Sequence, residues 1–159
     1  MSDLDEIFNE LARAFVGVIR TDRDIAFPDR LDRDALDGSL DSLKIVDSYL
    51  ELLHANRAGI VPAQWDTTVL WGGAYVGEVI RHARPGFFRW VDYNDYMPAH
   101  PDLQRLIPER TVATCAFLVA NDRSMSMPLN KVARAIEDGP ENSVHFFAAL
   151  DLKKSPPPA

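Results

Sequence analysis

The chain has 159 residues, of which 47% are hydrophobic and 26% charged, with a formal net charge of −7 and a sequence pI near 5.0. That length suffices for one domain with a buried core, and the acidic balance, without any Lys/Arg run, argues against nucleic acid as the main partner. The single cysteine, Cys115, excludes an internal disulfide, and no apolar run approaches the roughly 20 residues needed to cross a bilayer.

The start MSDLDEIFNE is acidic and has neither the basic nor the apolar region of a signal peptide, so a cytoplasmic location is expected. Residues 3–20 have a helical period, with Leu4, Ile7, Phe8, Leu11, Phe15, Val18 and Ile19 on one side. Ser2 is the expected cap, and Asp3, Asp5 and Glu6 suit the positive helix start. Residues 21–37 form a charged connector pinned to the body by Phe27-Pro28. A second helix is predicted over 40–56, capped by Ser39, burying Leu43, Val46, Tyr49, Leu50 and Leu53 and turning Lys44, Asp47, Ser48 and Glu51 to water.

Residues 62–68 read as a loop and 67–84 as the third helix, ended by Pro85-Gly86. A strand over 87–91 follows, then an irregular stretch over 92–110 that Pro98, Pro101 and Pro108 interrupt, with one short turn around 102–106. The β-branched run 111–119 is the strongest strand signal, joined by a turn at 120–123 to a short strand over 124–127. Pro128 opens a helix that Gly139 ends, residues 141–150 form the last helix, and 153–159 (KKSPPPA) read as a flexible Pro-rich tail. The expected fold is α+β over residues 1–152: N-terminal helices, a small antiparallel β-sheet of about three strands, and two short C-terminal helices.

The third helix carries the chemistry. Gly73 and Gly77 stand four residues apart inside it, where glycine costs about 1 kcal/mol against alanine, so a close neighbour is expected over each. Val69, Gly73, Val76, Ile80 and Ala83 share one face and Trp71, Ala74, Tyr75, Glu78 and His82 the other, a pattern of a helix covered on both sides. Glu78 lies one turn from both Tyr75 and His82. These three are the catalytic candidates, with Glu78 as acid/base, because a carboxylate against aromatic walls has its charged form disfavoured. The plainer reading is a structural ion pair or hydrogen bond of Glu78 with Arg81, Arg84, Arg89 or a loop amide.

Trp71, Phe87, Trp90, Tyr93 and Tyr96, with Met97, are too many large side chains for a small sheet to bury with ease, and they form the candidate binding surface. Filling of the core beside the third helix is the alternative. Cys115, within TVATCAFLV, reads as a buried inert thiol. No metal and no cofactor is expected: Asp92, Asn94, Asp95 and His100 are typical turn residues, the run Asp32, Asp34, Asp37, Gly38 departs from calcium-loop spacing, and no Gly-rich phosphate motif is present.

Residues 36–50 (LDGSLDSLKIVDSYL), 73–81 (GAYVGEVIR) and 128–147 (PLNKVARAIEDGPENSVHFF) resemble a pattern of small, functionally uncharacterised bacterial cytosolic proteins. In that pattern a GAYxGEVIR helix precedes a Gly/Trp strand, here 86–90, and a Pro-initiated helix ends in DG before a short terminal helix. The resemblance spans residues 36–150 and implies a domain of unknown function with no catalytic residue to carry over.

Three functions are compatible with these features. The leading one is a non-enzymatic cytosolic protein-binding domain, acting on a protein partner or by self-association as a homodimer, through the aromatic patch or the first helix. An immunity-type protein that sequesters a basic enzyme is one version of it. The others are a small hydrolase or isomerase using Glu78, and a small-ligand binding module with an aromatic pocket.

Overall fold

The computed structural model describes residues 3–154. The apolar periodicity of the chain start gives α1 (Asp3–Phe15), after which a connector with single-turn helices at Pro28–Arg30 and Arg33–Ala35 leads to α2 (Leu43–Ala55). α3 (Pro62–Ala83) is the longest element and the centre of the molecule, buried continuously from Trp71 to Ile80. α1 packs along it on one flank and α6 (Pro128–Asp138) on another, while α2 and α7 (Val144–Leu152) close the helical layer.

Between the helices lies a three-stranded antiparallel sheet in the order β1 (Phe88–Asp92), β2 (Ala116–Ala120), β3 (Met125–Ser126). The register pairs Trp90 with Leu118 and Leu118 with Ser126. Alternation along the strands sends Phe88, Trp90 and Leu118 into the main core with α1, α3 and α6. It sends Val91, Phe117 and Val119 to the other face, where α4 (Tyr93–Tyr96), a turn at Met97–Ala99 and α5 (Pro101–Leu106) cover them with Tyr93, Met97 and Leu103. The architecture is therefore the expected α+β one, with N-terminal helices, three strands and two C-terminal helices.

Several boundaries differ from the sequence reading, each for a local reason. α1 stops at Phe15 because Gly17 takes a φ of +84° and the Val18 and Gly17 amides bond back to Arg13 and Ala14, a left-handed helix stop that leaves Val18 exposed. α3 begins at Pro62, where the missing N–H falls at a position that needs none, so the segment read as a loop is its first turn. Pro101 opens α5 in the same way, and the stretch read as irregular is largely helical.

The predicted strand over 111–119 starts only at Ala116. Before it the Thr114 hydroxyl accepts from the Thr111 amide and donates to Glu109 O, folding residues 111–114 into a turn. α7 starts at Val144, because Ser143 caps it by accepting from the Phe146 amide at 3.1 Å. The connector is anchored by Ile25 and Ala26 rather than Phe27-Pro28. Ala26 donates to the Thr68 hydroxyl and accepts from the Tyr49 hydroxyl, whereas Phe27 is partly exposed.

Ser39 caps the turn that leads into α2, accepting from the Ser42 amide at 3.2 Å. The predicted cap Ser2 and most of the tail over 153–159 lie outside the described residues. Lys154 is tied to the body through Arg84, which donates to its carbonyl, and through Asp151.

Candidate functional site

Gly77 and Glu78 occupy successive positions of α3 where it meets β1. A methyl group at Gly77 would overlap the Trp90 indole, and one at Gly73 would lie 2.6 Å from Leu129 Cα, so both glycines admit a neighbour that alanine would displace. Trp90 is held on its other side by Phe8, stacked at 4.1 Å and 16°. The indole Nε1 donates to Glu78 Oε2 at 3.1 Å.

Arg81, one turn along the helix, donates from Nε to Oε2 at 2.6 Å and from Nη2 to Oε1 at 2.8 Å. This two-pronged pairing matches the planar guanidinium to both carboxylate oxygens. The bonded Glu78 carboxylate holds the Arg81 guanidinium above its ordinary value, and the charge of Asp5 adds to the effect. Asp5 was expected to serve the helix start. It is buried instead, and accepts from the Trp90 amide at 2.8 Å. Glu78 is thus the hub of a buried polar cluster that joins α3 to β1.

The three catalytic candidates do share a cavity. Tyr75, Glu78 and His82 line a space of about 170 Å³ between α1 and α3, walled by Ala12, Val16 and Val79. His82 Nε2 lies 3.4 Å from Glu78 Oε1, on a side chain that is 57% exposed. The Tyr75 hydroxyl accepts from the Gly38 amide at 3.0 Å and shares a 2.7 Å hydrogen bond with Ser42 Oγ, and burial pushes it above the usual tyrosine value.

The aromatic side chains that were candidates for a binding surface are interior, which agrees with the core-filling alternative. Trp71, Phe87, Trp90, Tyr93 and Met97 are all buried. The sheet has two covered faces, so it accommodates rings that a one-sided sheet could not. Tyr96 is half-buried, stacked on His100 at 4.0 Å with its edge toward Phe117.

Among the described residues, no cluster of three or more His, Cys, Asp or Glu side chains could hold a metal ion, and no helix is long and apolar enough to cross a membrane. Asp92, weighed as an oxygen ligand, caps α4 by accepting from the Asn94 amide and pairs with Arg110 at 3.0 Å. Burial pushes the Cys115 thiol up, away from the reactive thiolate.

Two features escaped the sequence reading. Asp47, expected to face water, accepts from Ser143 Oγ at 2.6 Å and the Val144 amide at 2.7 Å, docking α2 onto the start of α7. The outer side of α7 exposes Phe146 by 63% and Leu150 by 50%. The signal for the second was in the composition of that helix, VHFFAALDL, which has an apolar residue on every side. No protein family, no curated protein and no solved structure matches this chain.

Proposed function

We propose that this chain is a protein-binding domain of the reducing cytoplasm, acting by docking rather than by catalysis, and that its docking element is α7. The observation that carries this reading is a surface helix with apolar residues on its outer as well as its inner side. Val144 and Ala148 are fully buried against the body, while Phe146 and Leu150, one turn apart, face solvent together. Helices of this kind are normally covered on both sides, and contiguous exposed apolar patches mark contact sites. The net charge of −7 favours a basic partner over a second copy and speeds its approach, in keeping with an immunity-type role.

Catalysis by Glu78 fits the geometry less well, since Arg81 takes both its oxygens and Trp90 a further lone pair. The adjoining cavity of about 170 Å³ supports, as a second reading, the binding of a very small ligand, below the roughly 300–1,000 Å³ of drug-sized sites.

The test compares the wild-type chain with the double variant Phe146→Asp/Leu150→Asp, both immobilised and exposed to bacterial lysate, with sedimentation equilibrium in parallel. The wild type is expected to retain a basic protein that the variant loses, at unchanged thermal stability. A monomeric wild type that retains nothing beyond what the variant retains would remove α7 as the docking element.

A further inference from the structure

A second surface, remote in sequence from α7, has the composition of an anion site. On the face of the sheet away from α3, a groove of about 600 Å³ runs between the β2–β3 hairpin and the α4 segment. Its size falls within the roughly 300–1,000 Å³ of small-molecule sites.

Arg89 and Arg123 both line it. Among the described residues neither guanidinium makes a salt bridge, although the chain carries seven more negative than positive charges. Arg89 projects from β1 on the Val91 side of the strand, opposite Val119 in the register. Arg123 sits in the hairpin with a φ of +71°, a left-handed conformation normally left to glycine or asparagine. The hairpin is firmly placed, since the Asn121 amide donates to Phe87 O and Asn121 Nδ2 to Gly86 O, both at 2.9 Å.

The charge balance within the groove is positive. Asp95 is the single carboxylate on its lining. Asp122, next to Arg123, is turned to its own turn, accepting from the Ser124 amide and hydroxyl, and takes no part in the lining. The opposite wall is an aromatic stack: Tyr96 and His100 lie 4.0 Å apart and 6° from parallel, with His100 Nδ1 bonded to Tyr96 O at 2.9 Å, which fixes the imidazole plane.

We propose that this groove binds a mononucleotide-sized phosphorylated ring compound, its phosphate between Arg89 and Arg123 and its ring along the Tyr96–His100 stack. Guanidinium groups pair with phosphate oxygens in a planar two-pronged geometry, and a flat base is the ring that such a stack accepts. Asp95 then stands where it can accept from a sugar hydroxyl or an exocyclic amine.

The test is isothermal titration calorimetry of the full chain with AMP, GMP, CMP and UMP, with inorganic phosphate and adenosine as part-ligands. At least one mononucleotide is expected to bind, and Arg89→Gln and Arg123→Gln each to weaken it by at least tenfold. Both side chains are exposed, so circular dichroism should show the variants folded. His100→Ala should weaken the mononucleotide and leave inorganic phosphate unaffected. The proposal is overturned by the absence of heat with all four mononucleotides, by binding that survives both arginine substitutions, or by inorganic phosphate binding as tightly as the mononucleotide. Because neither variant touches α7, failure here leaves the docking reading standing, and the reverse also holds.

Discussion

Gly77 is the residue whose smallness the surrounding structure uses most fully. The Trp90 ring occupies the space where its Cβ would be, held between α3 and Phe8 and tied to Glu78 through the indole N–H. An alanine there has no flexible side-chain end to push aside. Gly77→Ala should therefore destabilise the protein by about 1–3 kcal/mol, the usual penalty of overpacking, despite the better helix propensity of alanine. Urea denaturation monitored by tryptophan fluorescence measures this, and a variant as stable as the wild type would show that Trp90 moves freely.

The need for a close neighbour over Gly73 and Gly77 was legible from the sequence, since glycine inside a helix costs stability that close packing offsets. The identity of the neighbours was not, because nothing local couples position 77 to position 90 or position 73 to position 129. Glu78 was legible in the same partial way. Its ionic partner Arg81 was among the arginines named, one helical turn away, whereas Asp5 entered the same cluster only through the tertiary packing of α1.

At the scale of elements, the junction of α2 with α7 depends on one carboxylate. Asp47 receives Ser143 Oγ and the Val144 amide, and Ser143 Oγ in turn receives the Phe146 amide, so the first turn of α7 is capped from inside and from outside. Asp47→Ala removes the outer acceptor and should cost about 1–2 kcal/mol, as lost helix caps do. Amide exchange at Val144 should quicken in the same variant. A loss below about 0.5 kcal/mol would mean that water replaces Asp47 without penalty.

Element type was largely readable from apolar periodicity, and most of the differences arose at proline and threonine. Pro62 and Pro101 start helices where they looked like interruptions, and the Thr111–Thr114 pair folds as a turn where β-branched residues looked like strand. Both residue types have two common uses, and the choice is made by side-chain hydrogen bonds and packing that adjacent residues do not reveal.

For the molecule as a whole, burial of tyrosine works against stability in alkali. Burial pushes the hydroxyls of Tyr49 and Tyr75 above the ordinary tyrosine range. The folded state therefore binds these protons more tightly than the unfolded chain. Their contribution is complete below the unfolded value of about 10 and is lost as pH rises through the folded values. Cys115, raised by its own burial, acts in the same direction from about pH 8.5. Stability from urea titrations should stay level near pH 8 and then fall by about pH 11, and a level or rising profile would contradict the burial of these hydroxyls.

The contact between Asp5 and the Trp90 amide has a consequence for solubility at high concentration. β1 is one of the two outer strands of its sheet, and the main-chain groups of its odd-numbered residues point to β2, as the Phe87 and Tyr93 main-chain bonds to Asn121 and Cys115 show. Trp90 therefore directs its N–H outward, to the side where a foreign strand would add. A side-chain carboxylate already occupies that donor, and α1 lies across the opening. Unpaired strand edges recruit other chains into growing sheets, and natural proteins block them with charge and cover. Here Asp5, in the first turn of α1, supplies the charge and α1 itself the cover, which guards the β1 edge against cross-strand polymerisation.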